Sequence, residues 1–415
     1  MQSETLQGTK RLALISAHQH GFQGFPALTC RQAPTRSAPS ICGTPLHLGA
    51  TRLQPSSTRI PALNASASDG ARPLTTSAAA AVQAEVRAKP TPAALPRELV
   101  MQLGQLPPQC QVPACTLPAL HQMLEHYAAR TPRLLSVLEL VMRPGWPQVA
   151  QLGHDHFAFR TFGVPGLGIA SLERVLLPLG YTRVPQQPPL TFPGKKLVAA
   201  WFRATDPRVS AVLPRVFVSE IQVERLSESA QEVIRGCTGW AVEAEPEQTT
   251  VQVVAALLTG TAPWPRPTLE QYDTLLRESE YAAWVLAHGY SLNHTALALH
   301  RLPPAGQGAD IAALVERLGA EGLELNPEGG LVKVSPDGLL LQCAVLADRV
   351  PFTFACGAQR DIAAAYVEFV QRLRLPEYAG LPAEEVREEH LRDGFEVGNA
   401  DRIFESTTLA AGARG

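Results

Sequence analysis

His154-Asp155-His156-Phe157-Ala158-Phe159-Arg160 sets a possible metal ligand and a permanently charged guanidinium on one face of one element. As a strand, His156, Ala158 and Arg160 share a face while Phe157 and Phe159 share the other. As a helix, positions four apart also share a face, so either way His156 and Arg160 can look into one cavity. Alternation places His154 with His156, but at the strand entrance, where it reads as a supporting or solvated residue rather than a ligand.

Working outward, a strand over 154–162 is followed by a turn, an amphipathic helix near 169–179 and strand-like runs at 181–184, 197–203 and 215–224. From Tyr290 the order recurs: strand 291–300, helix 310–319, strand-like 331–334 and 339–347, and last 365–370. Helices and turns between about 226 and 288 separate the copies. The expected architecture is α+β, with two β-α-β-β-β modules at about 150–225 and 289–375 and added helices. Before them, 117–140 is rich in helix formers with apolar residues at helical spacing.

The repeat puts metal-capable residues at equivalent places. His156 and His294 lie on the first strands of the two modules, and Glu220 and Glu368 on the last strands. His294 alternates with Leu292, Ala296 and Ala298, so its imidazole emerges among apolar neighbours. Glu368 shares a face with Tyr366 and Val370, and a carboxylate facing an apolar interior needs a partner. Two imidazoles and a carboxylate suit Fe(II) with open positions, and zinc or manganese could also occupy the set. Against this, 361–373 also reads as a helix capped by Asp361, with Glu368 solvated. Glu220 reads as an acceptor supporting a ligating imidazole, with a fourth ligand or a surface residue as alternatives. Arg160 could simply pair with an internal carboxylate. His300, at a strand end, reads as a rim residue.

Other motifs carry less. Residues 163–168, Gly-Val-Pro-Gly-Leu-Gly, join a strand to a helix but lack the G-x-G-x-x-G spacing and a following Lys, so they read as a tight turn. No G-x-S-x-G elbow is present.

The 415 residues are 45% hydrophobic and 18% charged, enough for a full core, and the net charge of -2 gives no bulk attraction to nucleic acid or a membrane surface. No apolar stretch reaches the roughly 18 residues that span a bilayer. The seven cysteines form no C-x-x-C pair and fit a reducing compartment. Residues 1–94 are Arg-bearing, acid-poor and rich in Ser, Thr, Ala and Pro, the composition of a transit peptide and linker. A plastid is the first expectation and a mitochondrion the second. The folded domain is expected over 95–415.

Several spaced motifs, in order, are His156-Phe-Ala-Phe-Arg160, Arg215-Val-Phe-Val-Ser-Glu220, Asn293-His294-Thr295, Tyr366-Val-Glu368-Phe and the closing run Asp393 to Ser406. Together they resemble the 2-oxoadipate dioxygenase/decarboxylases, also called hydroxyglutarate synthases, over about 100–408. The resemblance implies a vicinal-oxygen-chelate-like fold, a partly closed β-barrel around a metal. It implies Fe(2+) held by His156, His294 and Glu368, and Arg160 recognising the far carboxylate of a 2-oxo dicarboxylic acid. It implies a C-terminal segment over 390–408 that lines the substrate site, here through Val397, Gly398 and Asn399. The implied reaction takes 2-oxoadipate and O2 to 2-hydroxyglutarate and CO2 in lysine catabolism. A metal-dependent isomerase or lyase of the same fold, with Glu220 as ligand or base, and a non-catalytic plastid scaffold are the alternatives.

Overall fold

A computed structural model describes residues 106, 108–141, 153–301 and 310–412; the expected leader over 1–94 lies outside them, as do Cys30 and Cys42. The helical run at 117–140 is two helices, α1 (Thr116–Ala129) and α2 (Pro132–Val141). Pro132 has no N–H with which to continue α1, and it opens α2 instead.

The first module runs β1 (His154–Gly163), α3 (Gly168–Leu176), β2 (Tyr181–Val184), β3 (Thr191–Phe192), β4 (Leu197–Ala204), the single turn α4 (Pro207–Ser210) and β5 (Arg215–Gln222). Four helices fill the insert: α5 (Glu228–Glu243), α6 (Pro246–Thr259), α7 (Leu269–Glu278) and α8 (Glu280–His288). The second module runs β6 (Leu292–Ala298), α9 (Ile311–Ala320), β7 (Lys333–Val334), β8 (Leu340–Ala344), β9 (Arg349–Thr353), β10 (Gln359–Ala363) and β11 (Tyr366–Arg372). Two short helices follow, α10 (Val397–Ile403) and α11 (Glu405–Gly412).

One nine-stranded sheet has the order β2-β4-β5-β1-β6-β11-β8-β7, with β3 paired to β4. Each module lays its first strand parallel to its last, β1 with β5 and β6 with β11, and β1 meets β6 antiparallel at the centre. A parallel pair needs a crossover, which α3 provides in the first module, packing on both β1 and β5. The sheet does not close on itself, since β2 and β7 are its two ends, and the barrel is a partly closed one.

Residues 361–373 are not a helix. Asp361 belongs to β10, and β11 is sandwiched between β6 and β8, where Tyr366, Val367, Phe369 and Val370 are buried without alternation. A strand covered on both faces loses the period-two pattern, which is why the run imitates a helix in sequence. The β9–β10 hairpin, a separate two-stranded sheet, is an addition that the repeat did not announce.

Candidate active site

The central ladder brings three side chains together. His156 and Glu368 both lie opposite Ala296, from the two sides of β6, and His294 is two residues back on β6 itself. The small Ala296 side chain leaves the longer flanking ones room to converge. His156 Nε2 lies 3.7 Å and His294 Nε2 3.2 Å from Glu368 Oε2. One donor atom from each of the three lies within 4.8 Å of the others, and all three residues are buried.

Both histidines turn Nδ1 away from this point. His156 Nδ1 sits 2.9 Å from Asp155 Oδ1, and His294 Nδ1 sits 3.0 Å from Asn293 Oδ1. Carboxylate and amide oxygens only accept, so each Nδ1 carries the hydrogen and each Nε2 presents a lone pair. Burial pushes the His294 imidazole down to about 4, against the pull of Glu368, which keeps it neutral and able to ligate. Burial disfavours charge on Glu368, but His156, His294 and a hydrogen bond from Gln342 outweigh it and hold the carboxyl below its usual range. That bond, Gln342 Nε2 to Glu368 Oε1, is 2.6 Å, and Asn399 Nδ2 donates in turn to Gln342 Oε1 at 3.0 Å. Two imidazoles and an ionised carboxylate with an open side are a donor set that fits Fe(II).

A cavity of about 20 Å³ adjoins the three donors, roofed by Phe217, Phe395, Ile403 and Phe404. Phe217 lies opposite Ala158, two residues past His156, the place corresponding to Glu368 in the second module. The modules therefore differ at this position, and the set has three members rather than four. Tyr366 stacks on His294 with ring centroids 4.5 Å apart, and its buried hydroxyl has no hydrogen-bond partner among the described residues.

Arg160 is buried at the edge of a second cavity, of about 180 Å³, and Phe404 lines both. Its Nη1 is 3.3 Å from Glu280 Oε2, and its Nη2 donates to Thr407 Oγ1 at 2.8 Å and to the Phe404 carbonyl at 3.4 Å. The guanidinium carbon stands 5.0 Å and 5.3 Å from the Tyr281 and Trp284 ring centroids. The buried Nε has no partner among the described residues. An internal carboxylate does pair with Arg160, without consuming all its donors.

Glu220 is placed elsewhere. It lies opposite Thr161, five residues past His156, and its Oε2 accepts the Ile169 N–H at 2.7 Å at the start of α3. Register, not residue type, separates it from the histidines, and its charge at that helix end leaves no anion cradle at residues 163–168. Gly166 and Gly168 there have φ of 81° and 70°, as a tight turn requires. His154 is not on the face of His156. The pairing of β1 with β6 slips between the two, and His154 packs edge-on against Phe157 and bonds Thr295. His300 is not a rim residue either; its ring lies 3.8 Å from Asp155 and 3.7 Å from Glu388. Asp155, His300 and Glu388 also cluster as possible ligands, but the guanidinium groups of Arg215, Arg301 and Arg372 already neutralise them at 2.7–3.4 Å.

The C-terminal segment reaches the first cavity through Phe395, Ala400, Ile403 and Phe404. Of the three residues expected there, Asn399 acts through Gln342, Val397 packs in the core and Gly398 is exposed. Asp155, Asn293, Gln342, Tyr366 and Glu280 were not anticipated. The signal for the first two was present, since each precedes a repeat-related histidine.

A family model described as 2-oxoadipate dioxygenase/decarboxylase matches residues 119–383. The chloroplastic 2-oxoadipate dioxygenase/decarboxylase of Arabidopsis thaliana is 46% identical over 297 residues, 69% of this chain and 76% of that protein. The crystal structure of the hydroxyglutarate synthase from Oryza sativa in complex with 2-oxoadipate matches with a TM-score of 0.65 at 40% identity, over 72% of this chain and 93% of that one. A glyoxalase-superfamily protein from Ralstonia eutropha JMP134 shares the fold, with a TM-score of 0.54 at 22% identity over 73% and 99% of the two chains.

Proposed function

The chain belongs to the 2-oxoadipate dioxygenase/decarboxylase family, and from that premise we propose that it converts 2-oxoadipate and O2 to 2-hydroxyglutarate and CO2 with Fe(II) held by His156, His294 and Glu368. The observation that carries this reading is the convergence of two Nε2 lone pairs on an ionised glutamate, each imidazole fixed through its other nitrogen. Bound there, the metal would template a 2-oxo acid and supply electrons to oxygen.

The chain's own residues bind and orient. Arg160 and His156 are four residues apart on one strand, so their Cα atoms are separated by roughly 13 Å, a span suited to a short dicarboxylate. A guanidinium with a free Nε fits the far carboxylate and discriminates against monocarboxylates. Burial raises the Tyr366 hydroxyl well above its usual range, so it stays protonated and can donate to a substrate oxygen beside His294. The aromatic roof excludes water from the reacting end. Phe404 divides the two cavities, so a substrate reaching from the three donors to Arg160 must displace that ring.

The isomerase or lyase alternative needs Glu220 near the metal, and the helix-capping position of Glu220 speaks against it. The acid-poor leader and the chloroplastic relative support action in a plastid, and lysine catabolism is the proposed setting of the reaction. Anaerobic loading with Fe(II), followed by oxygen-electrode measurement and product identification with 2-oxoadipate, tests the reading. The expected result is equimolar O2 consumption and 2-hydroxyglutarate; 2-oxoadipate-independent oxygen uptake, or none, sinks it.

A further inference from the structure

We propose that Glu280 is a specificity-determining residue, which occupies the Arg160 guanidinium in the free enzyme and takes up a proton from solvent when the far carboxylate of a substrate binds there. The inference rests on Arg160 being the anchor for that carboxylate.

Glu280 opens α8, next to the capping Ser279, and reaches Arg160 of β1 and Thr407 of α11 at once. Thr407 closes a ring, accepting from Arg160 at 2.8 Å and donating to Glu280 at 2.9 Å. As built, the cation that would recognise a dicarboxylate is already neutralised. A second carboxylate brought to the same guanidinium leaves two negative charges sharing one positive charge, that of a buried Arg160 beside a largely buried Glu280. Like-charged carboxylates in such a place do not both stay ionised.

Several features make Glu280 the group that changes charge. Burial raises its carboxyl above the usual range despite Arg160, and Glu405 of α11 pushes the same way. The lysines lining the cavity are committed to other acids, Lys195 to Glu405 at 2.6 Å and Lys196 to Glu278 at 2.7 Å. The phenols of Tyr272 on α7, Tyr281 on α8 and Tyr366 on β11 are all raised by burial and stay neutral. His288 at the far end of α8 is pushed down to about 3 and stays neutral too. Protonated, Glu280 becomes a hydrogen-bond donor to the incoming carboxylate instead of a competitor. A 2-oxo acid without a far carboxylate leaves the Arg160–Glu280 pair intact and lays its apolar end against it, a costly contact.

The test is calorimetric binding to the Fe(II)-loaded, oxygen-free enzyme in buffers of differing ionisation enthalpy. The ligands are 2-oxoadipate and 2-oxohexanoate, the same chain without the far carboxylate. Both are fully ionised well above about pH 5, so proton uptake reports the protein. Uptake approaching one proton with 2-oxoadipate, none with 2-oxohexanoate and none with 2-oxoadipate in Glu280→Gln is expected. The Kd for 2-oxoadipate should weaken by up to about tenfold per pH unit in the wild type and stay flat in the variant. If the wild type binds 2-oxoadipate no better than 2-oxohexanoate, the anchor itself falls and Glu280 with it. If it prefers 2-oxoadipate but takes up no proton, or takes up as many in Glu280→Gln, the anchor stands and the role of Glu280 is overturned. The two-ligand comparison in the wild type can overturn the proposal even should the variant fail to fold.

Discussion

Asp155 Oδ1 accepts the Nδ1 hydrogen of His156 at 2.9 Å although the two are neighbours along β1, where side chains ordinarily point to opposite faces. The pairing with β6 shows how. His154 faces Leu297 and His156 faces Ala296, so two steps on β1 match one on β6 and Asp155 is the extra residue of a bulge. A second slip, on β6 at Asn293, does the same for His294. Each of the two histidines is thus preceded by a bulged residue that fixes its ring.

Asn293→Ala should lower Fe(II) affinity by about 10–100-fold, since His294 loses the acceptor that sets its tautomer. The stability cost should be about 1–3 kcal/mol, because the buried His294 Nδ1–H loses its acceptor, whereas Asn293 Nδ2 has no partner among the described residues to lose. Asp155→Ala should cost affinity and also about 3–5 kcal/mol of stability, because Arg372 and Arg215 are left buried beside a missing charge. Anaerobic metal competition against a chelator, with urea unfolding of the same proteins, separates the two effects. Equal stability loss in both variants would contradict the assignment.

Gln342 couples α10, through Asn399, to Glu368 of the proposed metal site. Gln342→Leu removes the donor to Glu368 Oε1 and one acceptor of the Asn399 amide, which keeps the Leu340 and Lys333 carbonyls at 3.2 and 3.4 Å. Metal affinity should fall, and Asn399→Ala should fall in the same direction by less. A double variant should lose less than the sum, since the three residues form one chain. Strict additivity would show that Asn399 acts independently.

Much of this arrangement was readable in the chain because a repeat carries its own register: His156 and His294 are equivalent by strand order alone. Glu220 misled because strand order says nothing about depth along the strand. It sits opposite Thr161, whereas Phe217 holds the place that Glu368 holds in the other module. His154 misled because a bulge is a property of two strands, and one strand read alone shows only alternation. Glu280 was invisible for a third reason: it comes from the helical insert, 120 residues from Arg160 in sequence.

Arg160→Ala should raise KM for 2-oxoadipate sharply and leave Fe(II) binding intact, since the guanidinium touches none of the three donors. Arg160→Lys should not restore it, because an ammonium cannot engage Glu280, Thr407 and a carboxylate in one plane. Kinetics with 2-oxoadipate and 2-oxohexanoate check this, and the preference between the two should collapse in both variants. Unchanged KM in Arg160→Ala would remove the anchor.

His288 gives the fold a pH dependence that is independent of the proposed metal. Burial, with Arg130 nearby, pushes its imidazole down to about 3, and its Nε2 donates to the Ala363 carbonyl at 2.8 Å, tying α8 to β10. In the unfolded chain the same group titrates near about 6.5. Between these values the unfolded state binds the extra proton, so stability is complete above about 6.5 and declines as pH falls toward 3, by at most ~1.4 kcal/mol per pH unit. His288→Gln keeps a donor for Ala363 and cannot titrate. Its urea midpoint should therefore fall less than that of the wild type between about pH 6.5 and 5, a range above the ordinary carboxylate titrations. His294, pushed down to about 4, titrates in the same window, so the difference between the two proteins isolates His288. Parallel pH profiles would show that His288 is protonated in the folded state after all.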